Sequence, residues 1–187
     1  RSFEAALSCG VDAIEFDVLD LVDGPLVLAH SNDLGEVSHG AAAGTVRDRS
    51  LAELRELAPE LPTLDEALAF LAEQPGVVAH VDLKLQRRLD ELARALDRHG
   101  LSGRAVVSSF HLDSLRAVAA AAPDLPIGFT YPEDRYGASK RRALQPAIRL
   151  GTIALRRAAV SRIPRLVARA GANALMLHHA LVSRAAV

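Results

Sequence analysis

Over residues 13–18 apolar and polar positions alternate, so that in an extended strand Ile14, Phe16 and Val18 share one side and Glu15 and Asp17 share the other. The pattern returns at residues 77–84, where a period of two sets His80, Asp82 and Lys84 on one face. A third apolar run, residues 105–110, ends in Ser108-Ser109-Phe110. Shorter runs at 26–29, 126–131 and 174–177 complete the predicted strands. Helical patterns fall between them, at residues 2–9, 51–58, 87–98, 112–121, 139–157 and 163–170, and one more leads from Leu64 to Glu73. Gly10 suits a left-handed cap, and Thr63 with Glu66 matches a capping box. Asp23-Gly24 predicts a turn, Pro75-Gly76 a break, and residues 31–50 a polar, glycine-bearing loop. Strands that alternate with helices predict parallel βα units rather than a sandwich. Their number is about five of the eight in an α/β (β/α)8 TIM barrel, a fold of ~250 residues.

Composition adds bounds. Half the residues are apolar and 24% are charged, which predicts one globular domain over residues 1–187. No run approaches the ~18 apolar residues of a membrane span. The single Cys9 excludes an internal disulfide. The chain starts at Arg1 rather than Met, so a signal peptide is expected, if anywhere, upstream. The net charge of −1 conceals an asymmetry: residues 1–134 carry all 23 acids against 11 Lys and Arg, and residues 135–187 carry 11 bases and no acid. The favoured reading is a surface facing acidic elements of the same protein; the other is an anionic partner.

The chemistry starts from the paired carboxylates. Ionising both Glu15 and Asp17 on an apolar strand is costly unless a cation lies between them or both reach solvent. A hard divalent ion, Mg²⁺ or Ca²⁺, resolves that cost, and His30, at the end of the next short strand, can move protons near neutral pH. The plain alternative is a strand end whose acids face water or pair with arginine. Asp82 and Lys84, two apart on one face, can form an ion pair, and Lys84 can either enter the site or snorkel at the rim.

Taken in order, Glu15-x-Asp17, the following His30, Asp82-x-Lys84 and Ser108-Ser109-Phe110 resemble the glycerophosphodiester phosphodiesterase family, and the likeness runs from the first helix to residues 177–182. The resemblance implies a TIM barrel that is incomplete as given, lacking the first strand and the last two, and a domain truncated at both ends, with residues 132–170 as a basic helical insertion. The family's first-strand His-Arg-Gly and following Glu-Asn-Thr motifs would lie before Arg1. It implies Glu15, Asp17 and Asp82 as ligands of one divalent cation, His30 and Lys84 as catalytic residues, and Lys84, Phe110 and His178 against substrate. Two departures stand out: Asp82 where the family usually has Glu, and Ser31 where it often has Asp after the histidine. For Phe110 a core role is an equal alternative. His178 and His179 are expected on opposite faces, with packing the alternative for both. His39, His80, His99 and His111 are expected to be loop or structural residues, with His80 two residues deeper than Asp82.

The activity implied is hydrolysis of a small-molecule glycerophosphodiester to glycerol 3-phosphate and an alcohol, as part of lipid and glycerol metabolism. The alternatives are a phospholipid phosphodiesterase at a membrane, with the basic segment facing anionic lipid, and a non-catalytic barrel that binds phosphate esters. No nucleic-acid partner is expected, the oligomeric state stays open, and the expected compartment is the cytoplasm. Lys140, Arg141 and Arg142 are expected in a lid that draws in an anionic substrate.

Overall fold

Strands with one apolar side need a cover, and the helices between them supply it. The computed structural model describes residues 2–132 and 145–182. In chain order these form α1 (Ser2–Ser8), β1 (Ala13–Asp20), β2 (Leu26–Leu28), α2 (Leu34–Val37), α3 (Leu51–Leu57), α4 (Leu64–Ala72), β3 (Val78–Leu83), α5 (Leu89–Arg98), β4 (Ala105–Ser109), α6 (Leu112–Ala121), β5 (Ile127–Tyr131), α7 (Gln145–Ala170) and β6 (Ala174–Leu177). The sheet order is β2-β1-β3-β4-β5-β6. From β1 to β6 every neighbouring pair is parallel, and only the short β2 runs antiparallel, as a hairpin on β1. Among the described residues the sheet stays open.

The outer face carries the core. Phe16, Val81, Leu83, Val107, Ile127 and Phe129 pack against Leu68, Leu71, Leu92, Leu96, Leu115 and Ala170. Each such large side chain, taken fully out of water, contributes about 1.5–3 kcal/mol. A smaller cluster of Leu19, Leu21, Val27, Leu34, Val46, Leu54 and Leu61 fastens residues 31–62 to the hairpin. Local signals agree with the packing. Gly10, at φ +72°, ends α1, and Thr63 with Glu66 closes the expected capping box on α4. An equivalent Ser50–Glu53 box, not among the sequence expectations, opens α3.

Four expectations change. The loop at 31–50 contains α2, because Asp33 accepts from the Gly35 N–H and caps a turn. The two basic helical stretches are one helix from residue 145 to 170, continuous through Pro164; burial of Ala159, Ile163 and Ala170 along one side outweighs the bond that proline removes. Lys140, Arg141 and Arg142 lie outside the described residues. β1 does not stop near Asp17 but runs on to Asp20 through its hairpin with β2, so Glu15 and Asp17 stand mid-strand; the parallel pairing with β3 nevertheless ends just beyond them, at Val18 and Leu83. His178 and His179 do not point apart: their rings lie 4.3 Å from centroid to centroid, because a 3₁₀ turn, His179–Leu181, begins at once. Among the described residues no helix is long and apolar enough to cross a membrane.

Candidate active site

Parallel pairing sets Asp17 beside Asp82 and Glu15 beside His80, and continues from Asp82 to Ser108. Side chains level with one another across parallel strands share a face. Glu15, Asp17, His80, Asp82 and Ser108 therefore converge on the inner side, opposite the core. The carboxylates of Glu15, Asp17 and Asp82 offer oxygens that all lie within 4.8 Å of one another. Burial, and then the charges of Asp17 and Asp82, push the Glu15 carboxyl above its ordinary value; Lys84 and His30 offset this only in part.

Lys84 follows β3 and enters the same space. Its ammonium lies 3.0 Å from Asp17 Oδ1, bonds Asp82 Oδ2, and stands 5.4 Å from the centre of the Phe110 ring. Burial alone would lower its pKa, but hydrogen bonding and charge from Asp82 and then Asp17 outweigh that and hold it above the usual lysine value. Both readings of Asp82 thus meet: it belongs to the carboxylate cluster and it pairs with Lys84. The Lys84 side chain is 20% exposed, with its ammonium set between Asp17 and Asp82.

Residues that the sequence alone does not mark as site candidates support this arrangement. Ser108 donates to Asp82 Oδ1 at 2.6 Å, and His80 Nε2 lies 2.9 Å from the same hydroxyl. Burial lowers the His80 pKa despite Asp82 and Asp17 nearby. Arg47 donates to the Lys84 carbonyl at 3.2 Å and pairs with the buried Asp20, which ties the 31–50 segment to the end of β3. Glu36 accepts from His30 Nδ1 at 2.9 Å and from Ser31 at 2.7 Å. Ser31 therefore reaches the histidine through Glu36, and Asn32 instead accepts from the Arg47 backbone. His30 itself is exposed, and because β2 runs antiparallel it returns to the level of Asp17, whose carbonyl accepts from Ala29 N–H at 3.1 Å.

An all-carboxylate cluster of three residues, with one acid pushed up by burial and then by its neighbours, fits a hard divalent cation. Residues 1–183 match the model of the Glycerophosphoryl diester phosphodiesterase family. The chain belongs to that family. A glycerophosphodiester phosphodiesterase of Caldanaerobacter subterraneus subsp. tengcongensis is 30% identical over 146 residues, which is 70% of this chain and 59% of that protein. One from Bacillus subtilis is 26% identical over 67% of this chain and 51% of its own length. The chain thus spans about half to two-thirds of the curated relatives it matches. Among solved structures, an Oleispira antarctica phosphodiesterase in complex with the product sn-glycerol-3-phosphate superposes with a TM-score of 0.67 at 21% identity, covering 97% of this chain and 69% of that one. That likeness shows the fold, and the strand–helix order above is that of the TIM barrel.

Within this family member Phe110 is half-buried rather than core, and it lines a cleft of about 640 Å³ with Gln86, His111, Thr130, Tyr131 and Arg169. His178 is exposed, and its Nδ1 accepts from the Ala180 N–H at 3.3 Å as a turn cap. Among the described residues no bond joins it to the carboxylates or to Lys84. His39 lies in a turn with φ 52°, and His99 pairs with Asp65 at 2.9 Å, as structural residues do. His111 precedes α6 and approaches Gln86 at 3.4 Å. His80 differs from these three because it stands within β3 on the site face.

Proposed function

We propose that the intact protein hydrolyses small-molecule glycerophosphodiesters to glycerol 3-phosphate and an alcohol. The observation that carries this is the convergence of Glu15, Asp17, Asp82 and Lys84 on the inner face, in a chain of this family. The product held by the Oleispira neighbour supports the same substrate class. Glu15, Asp17 and Asp82 would hold one divalent cation, Mg²⁺ or Ca²⁺. When bound, such an ion neutralises phosphate charge and polarises a hydroxyl.

The chain's own residues supply the rest. Lys84 leaves its carboxylate partners to hold a phosphate oxygen as a compact cation, and the Phe110 ring stands beside it. Glu36 fixes the His30 ring through Nδ1, which leaves Nε2 to accept or give a proton at the substrate. His178 serves as a substrate contact. Residues 1–187 are read as one domain with 132–170 as its basic insertion, acting in the cytoplasm in lipid and glycerol metabolism. Attraction of the anionic substrate by the charges of Lys140, Arg141 and Arg142 is part of this proposal: changing all three to Gln raises KM and weakens its dependence on salt, and an unaltered salt dependence removes it.

A second reading has an observation in its favour. Lys84 bridges Asp17 and Asp82, as it would in a barrel that binds phosphate esters without a cation. Release of glycerol 3-phosphate from a glycerophosphodiester, measured with added Mg²⁺ or Ca²⁺ and with chelator, separates the two. Cation-dependent release supports the hydrolase; binding of the ester without turnover supports the other.

A further inference from the structure

Asp82 stands one methylene short of the glutamate that the resemblance leads one to expect, and a short carboxylate on a strand must be aimed rather than reach. We propose that Ser108, backed by His80, is a positioning residue that turns Asp82 toward the cation site. This inference rests on the cation-binding reading given above. Asp82 and Ser108 are both buried, at 6% and 1% exposure, and lie level on adjacent parallel strands. The Ser108 hydroxyl gives its proton to Asp82 Oδ1 at 2.6 Å. That bond commits Oδ1 and leaves Oδ2 turned toward Asp17, as Lys84 reports by bonding both Oδ2 and Asp17 Oδ1.

The hydroxyl has only one proton, so a second polar contact must come from a donor. His80 Nε2, 2.9 Å away and two residues before Asp82 on the same face, meets that need, with its proton on Nε2. The chain of donors therefore runs from His80 to Ser108 to Asp82. Gly128 flanks Ser108 on the other side. It is level with Ser108 on β5, and a Cβ there would stand 3.3 Å from Ser108 Cβ and 2.7 Å from Met176 Cε.

The test is calorimetric titration of Mg²⁺, and separately Ca²⁺, into the intact protein. Ser108→Ala weakens binding by about 10- to 100-fold, the range found when a group that orients a metal ligand is removed. His80→Leu weakens it by a few-fold, and His80→Gln, whose amide still donates, restores it. Asp82→Glu supplies the missing length, so Ser108→Ala costs much less in that background; a double-mutant cycle measures the difference. An equal loss with and without the Asp82→Glu change means a general structural role and overturns the proposal, as does unchanged affinity of Ser108→Ala. If the unaltered protein binds neither ion, the cation reading fails first and this inference falls with it. Thermal unfolding of each variant accompanies the titrations, so that a folding defect is read directly rather than as lost affinity.

Discussion

The two faces of one sheet carry opposite loads. Along β3, Ala79, Val81 and Leu83 are buried beneath helices, and the residues between them are His80 and Asp82, with Lys84 next. Along β1, Phe16 is 5% exposed, while Glu15 beside it is open to solvent and its carboxyl is pushed up by partial burial and like charge. A strand's period of two thus separates stability from chemistry over a single residue step. The outer face stabilises the fold by burial. The inner face gathers three carboxylates whose repulsion opposes folding unless a positive charge is present.

That contrast is sharpest where activity is lost and stability is not. Glu15→Ala abolishes cation-dependent hydrolysis, while the unfolding temperature without added cation holds or rises, because a like charge has been removed; Asp17→Ala abolishes it too, but also takes a partner from Lys84 and lowers that temperature. Activity assays beside calorimetry check it, and a large drop in stability for Glu15→Ala would break the distinction between the faces. Next in size, His30→Ala lowers turnover by about 10² to 10⁴, as for a general acid or base, with cation affinity unchanged. A large fall in affinity would make His30 a ligand instead.

The outer face gives the converse. Leu83 is fully buried one position beyond Asp82, and Leu83→Ala costs about 2–5 kcal/mol in urea unfolding while the molecules that remain folded bind cation normally. The smallest effect lies away from the site. Thr63→Ala removes the α4 cap and costs about 1 kcal/mol. The same cap is pH-dependent: the Thr63 backbone N–H and then Arg55 hold the Glu66 carboxyl below its ordinary value. Its stabilisation is therefore present above the usual glutamate range and is lost as pH falls through the depressed value in the folded state. Glu66→Gln flattens that part of the curve in urea midpoints taken from neutral to acid pH.

Much of this is legible in the sequence because it is local. Alternation places Glu15 with Asp17 and Asp82 with Lys84, and the Thr63–Glu66 spacing marks the start of α4. The meeting of different strands is not local. Nothing within residues 105–110 says that Ser108 will stand level with Asp82 on the neighbouring strand, since parallel register is set by packing across the sheet. His80 reads as a structural histidine for the same reason, its partner being 28 positions away. The gap expected between residues 157 and 163 is absent because the buried row of Ala159, Ile163 and Ala170 carries one helix through Pro164, where proline would ordinarily end it. Arg47 and Glu36, in a segment expected to be loop, gain their positions through α2 and the small cluster around Leu34.

The central claim is that the inner face is a cation-dependent phosphodiesterase site. Its most direct test follows glycerol 3-phosphate release from a glycerophosphodiester by the intact protein, after chelation and then after return of Mg²⁺ or Ca²⁺, beside a Glu15→Gln variant. The account predicts that chelation stops release, that one of the two ions restores it, and that the variant stays inactive at every concentration of either ion. Release that persists in chelator, or a variant as active as the unaltered protein, would contradict it.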